Sequence, residues 1–237
     1  MSCGTLYLIP VPLAKNASVK SLTPYLINTI NQINEYIVEN EKSARHFLKE
    51  AGLKIHQNEL IIHDYGKHNR DKNNQDFLKG LLKGNDVGLM SEAGCPGIAD
   101  PGANLIRIAH QKGIKIVPLV GPSSILLALM ASGFNGQSFA FQGYLPIDKN
   151  QRVKKLKDLE VLAAKYHQTQ LFIETPFRNQ AILEDILKSC NPKTQLCIAA
   201  NLTAIDEFIQ TKSISEWKAL IPDLHKKPAV FILSNNI

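Results

Sequence analysis

A chain of 237 residues, 44% hydrophobic and 20% charged, has globular composition and is long enough for one large or two modest domains. Its longest apolar run, residues 125–131, falls far short of the ~20 residues that cross a bilayer, and no basic-then-apolar leader opens the chain, so a cytoplasmic location without a membrane partner is expected. A formal net charge of +6 favours anionic partners such as nucleic acid.

The apolar stretch at residues 5–11 (TLYLIPV) predicts a buried first strand, stopped by Pro12. Residues 33–38 and 60–63 predict two more strands. Between them Ala44, Phe47, Leu48 and Ala51 recur at helical spacing, and Gly52 supplies the stop. Phe77, Leu78, Leu81 and Leu82 predict a second amphipathic helix, ended by Gly84. A strand at 86–90, a helix over 101–113 and a strand at 114–119 follow. Strands alternating with helices imply a mostly parallel sheet.

The second half is less regular. It predicts an apolar helix at 125–131, a strand at 138–144 and a charged, exposed helix over 151–167. A strand at 170–173 and a helix at 176–189 come next, then strands at 194–200, 205–210 and 228–233. The capping box Ser213-Ile214-Ser215-Glu216 opens one more short helix. Late strands without long helices between them point to antiparallel pairing. The expected architecture is therefore α/β with two domains, residues 1–119 around a mostly parallel sheet and residues 120–237 around a mixed one.

Several strand ends carry unusual backbone chemistry. The loop "SEAGCPGIADPG" (residues 91–102) concentrates glycine, which permits positive φ and close approach, and proline, which fixes φ. It either turns sharply or lies against a ligand, and in an open α/β sheet ligands sit beyond the carboxyl ends of the strands. Asp100 before Pro101 reads as a helix cap. Val120-Gly121-Pro122-Ser123-Ser124, Glu174-Thr175-Pro176 and Pro10-Val11-Pro12 leave other strands in the same manner. Convergence of the four on one cleft is the expectation.

Other chemistries lack their signatures. No G-x-G-x-x-G follows the first strand, and neither a P-loop nor a G-x-S-x-G is present. Cys3, Cys95, Cys190 and Cys197 form no C-x-x-C pair and no zinc spacing with histidine, so reduced thiols and no metal are expected. Basic clusters at 67–70 (KHNR), 152–157 (RVKKLK) and 225–227 (HKK) fit a solvated face or an RNA contact equally.

The run "VGLMSEAGCPGIADPGANLIRIAHQKGIKIVPLVGPSSILLALMASGF" resembles the tetrapyrrole-methylase superfamily, and within it the bacterial 16S ribosomal RNA cytidine 2′-O-methyltransferase family. "LYLIPVPLAKN", "FAFQGYLP", "LFIETPFRN" and "NLTAIDEF" are similar to further family segments, in order, over residues 5–233. The resemblance implies two α/β domains with S-adenosylmethionine in a cleft between them, a homodimer and a ribosomal RNA substrate. It also implies cofactor contacts at Pro12, at Ala93, Gly94, Cys95, Pro96 and Ile98, at Ser123 and Ser124, and at Glu174 and Leu202 beside the adenosine.

Departures from the family pattern cluster at polar positions. Glu39-Asn40-Glu41-Lys42 replaces Glu-Asp-Thr-Arg, Glu92 and Cys95 replace Asp and Thr, Phe177 replaces His, and Ala200-Asn201 replaces Arg-Glu. A ribose hydroxyl acceptor must lose its proton, so Glu39, Lys42 and Glu92 are candidate bases, with surface charge or structural pairing as the alternative for each. Arg178 binds a substrate phosphate or pairs with Glu174. Methylation of a tetrapyrrole or other small acceptor, and non-enzymatic RNA binding with the cofactor retained, are the rival functions.

Overall fold

The computed structural model describes residues 3–15, 17, 21–66, 75–100 and 102–235. The basic cluster at 67–70 and Pro101 lie outside them. Contacts divide the chain into two compact units, residues 1–123 and 124–237.

The first unit is built on strands β1 (Thr5–Ile9), β2 (Glu35–Val38), β3 (Ile61–Asp64), β4 (Val87–Met90) and β5 (Lys115–Pro118). All pair in parallel, in the order β3-β2-β4-β1-β5. Its helices are α1 (Pro24–Ile30), α2 (Glu41–Glu50), α3 (Lys79–Leu82, after a 3₁₀ turn at Asp76–Leu78) and α4 (Ala103–Gln111). A parallel sheet needs cover on both faces, and the period-two alternation of each strand supplies it. Ile9, Tyr36, Val38 and Met90 pack with Leu26, Ile30, Phe47 and Leu48. Leu6, Ile37, Val87 and Leu89 pack in a second cluster with Leu78, Leu81, Leu105 and Ala109. Gly88 belongs to the first face, and a Cβ there would meet Ile9 Cδ1 and Tyr36 Cδ1, both at 2.7 Å. The buried Tyr36 ring takes that space, with its hydroxyl 2.9 Å from the Ile30 carbonyl.

Local chemistry sets the helix ends. Asn40 caps α2 by accepting the Ser43 amide at 3.0 Å, and Gly52 ends the turn beyond it at φ +82°. Helix α1 has no counterpart among the expected elements, although Thr23 caps it and Pro24 sits in its first turn. Helix α4 starts from Gly102 without a side-chain cap, which corrects the reading of Asp100 as its cap.

The second unit holds α5 (Ser124–Ser132), β6 (Phe139–Tyr144), α6 (Lys149–Tyr166), β7 (Thr169–Glu174), α7 (Asn179–Ser189), β8 (Gln195–Ala200), β9 (Phe208–Ser213), α8 (Ile214–Ala219) and β10 (Ala229–Ser234). Its sheet runs β6-β7-β10-β8-β9, with β6 and β7 parallel and every other pair antiparallel. The mixed sheet is as expected. Phe172 and Phe231 stack in its core with ring centroids 5.6 Å apart. The Trp217 indole N–H donates to the Leu196 carbonyl at 2.9 Å.

Two expectations need correction here. Strand β9 lies three residues later than 205–210, because residues 201–207 are taken up by turns and leave Ile205 fully exposed. Helix α6 is not simply exposed: Arg152, Leu156, Leu159 and Ala163 form a buried stripe at helical spacing.

Candidate functional site

In the first unit the chain leaves β2 outward to β3 but leaves the adjacent β4 in the opposite direction, to β5. Diverging connections open a crevice beyond the carboxyl ends of two neighbouring strands. A narrow gap with room for about one water is found there, lined by Glu39, Tyr65, Met90, Ser91, Pro96 and Asp100 among others. The register places the tips level, with Val38 and Ile9 both opposite Met90.

Three of the glycine- and proline-rich loops, those after β1, β4 and β5, meet beside it. Val11 and Gly94 exchange two backbone hydrogen bonds, 2.9 and 2.8 Å long, which join the β1 and β4 loops and leave Pro12 half-buried next to them. Gly94 adopts φ +74°, where a side chain is strained. The Cys95 thiol lies 3.4 Å from the Pro122 carbonyl and so ties in the β5 loop that carries Ser123. Burial, and secondarily the Asp100 carboxylate, push that thiol up from its ordinary range. Gly94 and Pro96 are buried anchors, whereas Ala93 and Ile98 face solvent.

The candidate bases lie on the β2–β4 side. Glu39 is half-buried at the β2 tip, and Lys42 is exposed in the first turn of α2. Glu92 is exposed on the β4 loop, 3.5 Å from the Ser43 hydroxyl of the same first turn. The sequence reading missed Asp100 and Tyr65 as crevice residues. Asp100 looked like a cap, and Tyr65 belongs to no motif.

The remaining predicted residues lie in the second unit. Glu174 ends β7 and is 4% exposed. One of its oxygens accepts the Thr175 amide at 2.7 Å, and the other lies 2.8 Å from Arg178 Nη2. Of the two readings of Arg178, the pair with Glu174 is therefore formed. Glu174 and Ala200 both stand opposite Ala229 of β10, so Glu174 and the loop carrying Leu202 occupy one end of the sheet. Asn201 (φ +51°) and Thr203 (φ +69°) flank the buried Leu202 in left-handed conformations. Hydrogen bonds from Asn201 to Asp206 and from the Thr203 amide to Glu207 hold that strained loop. Ser124 opens α5. Among the described residues no three His, Cys, Asp or Glu side chains group as metal ligands, and no helix is long and apolar enough to cross a membrane.

Residues 6–217 match the family model described as Tetrapyrrole (Corrin/Porphyrin) Methylases. The chain is 32% identical over 211 residues to the Ribosomal RNA small subunit methyltransferase I of Vibrio cholerae, covering 89% of this chain and 69% of that one. It is 28% identical to the protein of the same name from Haemophilus influenzae, covering 97% and 78%. The crystal structure of the methyltransferase CobJ matches 99% of this chain and 95% of its own at a TM-score of 0.64 and 17% identity, a likeness of fold.

Proposed function

Since the chain belongs to the tetrapyrrole (corrin/porphyrin) methylase family, we propose that it transfers the methyl group of S-adenosylmethionine to a ribose 2′-hydroxyl of ribosomal RNA. The observation that carries this reading is the likeness, over more than two thirds of both chains, to relatives named as small-subunit ribosomal RNA methyltransferases. The net charge of +6 suits a polyanionic acceptor.

The residues present fit the donor. Its sulfonium carries an already activated methyl carbon. Half-buried carboxylates at Glu39 and Asp100 suit a cationic ligand. The loop with Ala93 and Ile98 outward and Gly94 and Pro96 anchored offers backbone groups for its methionine portion. Pro12, Cys95 and Ser123 belong to the loops joined beside it. For Glu174 and Leu202 of the second unit, contact with the adenosine is a proposal that the family resemblance alone supports.

When bound, the donor would supply the methyl group, and a carboxylate of this chain would take the acceptor's proton. The protein's task is alignment and exclusion of water. Glu39 is the carboxylate we assign to the proton, because it lies in the crevice, whereas Glu92 and Lys42 are exposed and serve the acceptor's approach. The active form is a homodimer in the cytoplasm, a reading that rests on the family resemblance.

The test incubates the protein and tritium-labelled donor with purified small ribosomal subunits and with porphyrinoid precursors. Label recovered in a 2′-O-methylated nucleoside is the expected result. Label in the porphyrinoid, or in neither acceptor, overturns the proposal.

A further inference from the structure

Phe177 is 72% exposed on the turn between β7 and α7. The chain on either side of it is joined to a second turn, residues 223–228, which leads into β10. The Lys226 amide donates to the Pro176 carbonyl at 3.2 Å, and the Leu224 amide donates to Gln180 Oε1 at 3.2 Å. The Asn179 side-chain amide donates to the Lys227 carbonyl. The exposed His225 ring meets the Phe177 ring nearly at right angles, 79°, with centroids 6.4 Å apart. Lys226 itself sits at φ +59°, a conformation that glycine or asparagine adopts at less cost.

The two turns thus present two nearly perpendicular aromatic rings beside the exposed Lys226 and the half-buried Lys227. Arg178 is matched by the buried Glu174, and within residues 223–228 Lys226 and Lys227 stand against the exposed Asp223. That turn carries a net positive charge. A flat, unpaired base stacks on such a ring whatever its identity, while neighbouring lysines meet the flanking phosphates. A peptide of acidic residues alone would use the lysines but has no aromatic ring to stack on Phe177.

We infer that Phe177 and His225, with Lys226 and Lys227, form a platform that grips an unpaired nucleotide of the RNA acceptor by stacking and phosphate contact. This inference rests on the reading of RNA as the substrate. It assigns to Phe177, which departs from the family's histidine, a contact that this chain makes for itself.

The test uses the full-length chain and a fluorescein-labelled single-stranded RNA oligonucleotide, followed by anisotropy, with label transfer into small ribosomal subunits measured alongside. Phe177→Ala is expected to weaken RNA binding about 5- to 100-fold, Phe177→Trp to preserve it, and S-adenosylhomocysteine binding to be unchanged in both. Lys226→Ala with Lys227→Ala should lower the slope of log affinity against log salt by roughly 1.4. In turnover, Phe177→Ala raises KM for subunits and spares kcat. If wild type binds and methylates RNA and Phe177→Ala does so equally well, the platform is wrong and the methyltransferase reading stands. Loss of affinity in the lysine variant alone overturns it too, as a diffuse basic patch, and so does displacement of the RNA by a polyglutamate peptide that binds independently of Phe177. Wild type that neither binds nor methylates RNA removes both proposals together.

Discussion

The amide of Val11 donates to the Gly94 carbonyl at 2.9 Å, and the Gly94 amide returns the bond to the Val11 carbonyl at 2.8 Å. This pair fixes the loop after the first strand to the loop after the fourth, and it requires Gly94 to stay at φ +74°. A Cβ at Gly94 would meet Leu13 at 3.4 Å and Pro122 at 3.9 Å, both ordinary contacts, so the cost of Gly94→Ala is conformational rather than steric. We expect about 1–2 kcal/mol of destabilisation in urea unfolding. Because the same loop is assigned to the methyl donor, calorimetry with S-adenosylhomocysteine should show weaker binding as well. An alanine variant with both properties intact would mean that the stitch does not position the loop.

A buried ion pair holds the connection between β6 and α6 in the second unit. Arg152 Nε and Nη2 both reach Asp185 Oδ2, at 2.8 and 2.6 Å, and its Nη1 donates to the Ile147 carbonyl at 2.7 Å. The side chains are 9% and 6% exposed. Removing one partner strands the other charge without water, so Arg152→Ala and Asp185→Ala should each cost about 3–5 kcal/mol. Arg152→Ala with Asp185→Ala should cost clearly less than the two single losses added. Additive losses in a double-mutant cycle would show that the two side chains act separately.

The buried thiols impose an alkaline limit. Burial, with a smaller contribution from Glu160, pushes Cys190 up to about 12 from its ordinary 9.0. Between those values the unfolded chain releases the proton and the folded chain keeps it, so the contribution is whole below pH 9 and is lost as pH rises toward 12. The slope is at most about 1.4 kcal/mol per pH unit for this group. Cys190→Ala should therefore flatten the fall of the urea midpoint above about pH 9 relative to its own value at neutral pH. Cys197, also raised by burial, retains its share. Iodoacetamide at neutral pH should label the exposed Cys3 first and leave Cys190 and Cys197 unmodified.

Where a feature depends on a few adjacent residues, the amino-acid order announces it. Ser213 caps the helix it was expected to cap, and Gly52 and Gly84 take the positive φ that ends a helix. The parallel and mixed sheets followed from the spacing of apolar runs. The insertion of β10 between β7 and β8 did not, because pairing partners distant in sequence leave no local trace. Ile205 drew strand β9 too early: its apolar side chain serves no core and sits on a turn set by Asn201 and Thr203. At the site, glycine and proline marked the loops, and the resemblance supplied candidate side chains. Neither indicated Tyr65 or Asp100, whose place in the crevice depends on how β3 and α4 stand beside the β2 and β4 tips.

The same crevice separates the three candidate bases. Glu39 lines it at the β2 tip, and Glu92 lies on the open side with the Ser43 hydroxyl 3.5 Å away. Glu39→Gln preserves shape and hydrogen bonding but cannot hold the acceptor's proton, so kcat for label transfer should fall about 10²–10⁴-fold with S-adenosylhomocysteine affinity retained. Glu92→Gln and Lys42→Ala remove exposed charges and should act mainly on KM for ribosomal subunits, by less than about tenfold. A raised external pH would favour the deprotonated acceptor and partly restore turnover in Glu39→Gln but not in a variant that had lost alignment. Full turnover in Glu39→Gln together with collapse in Glu92→Gln would transfer the proton-accepting role to the β4 loop.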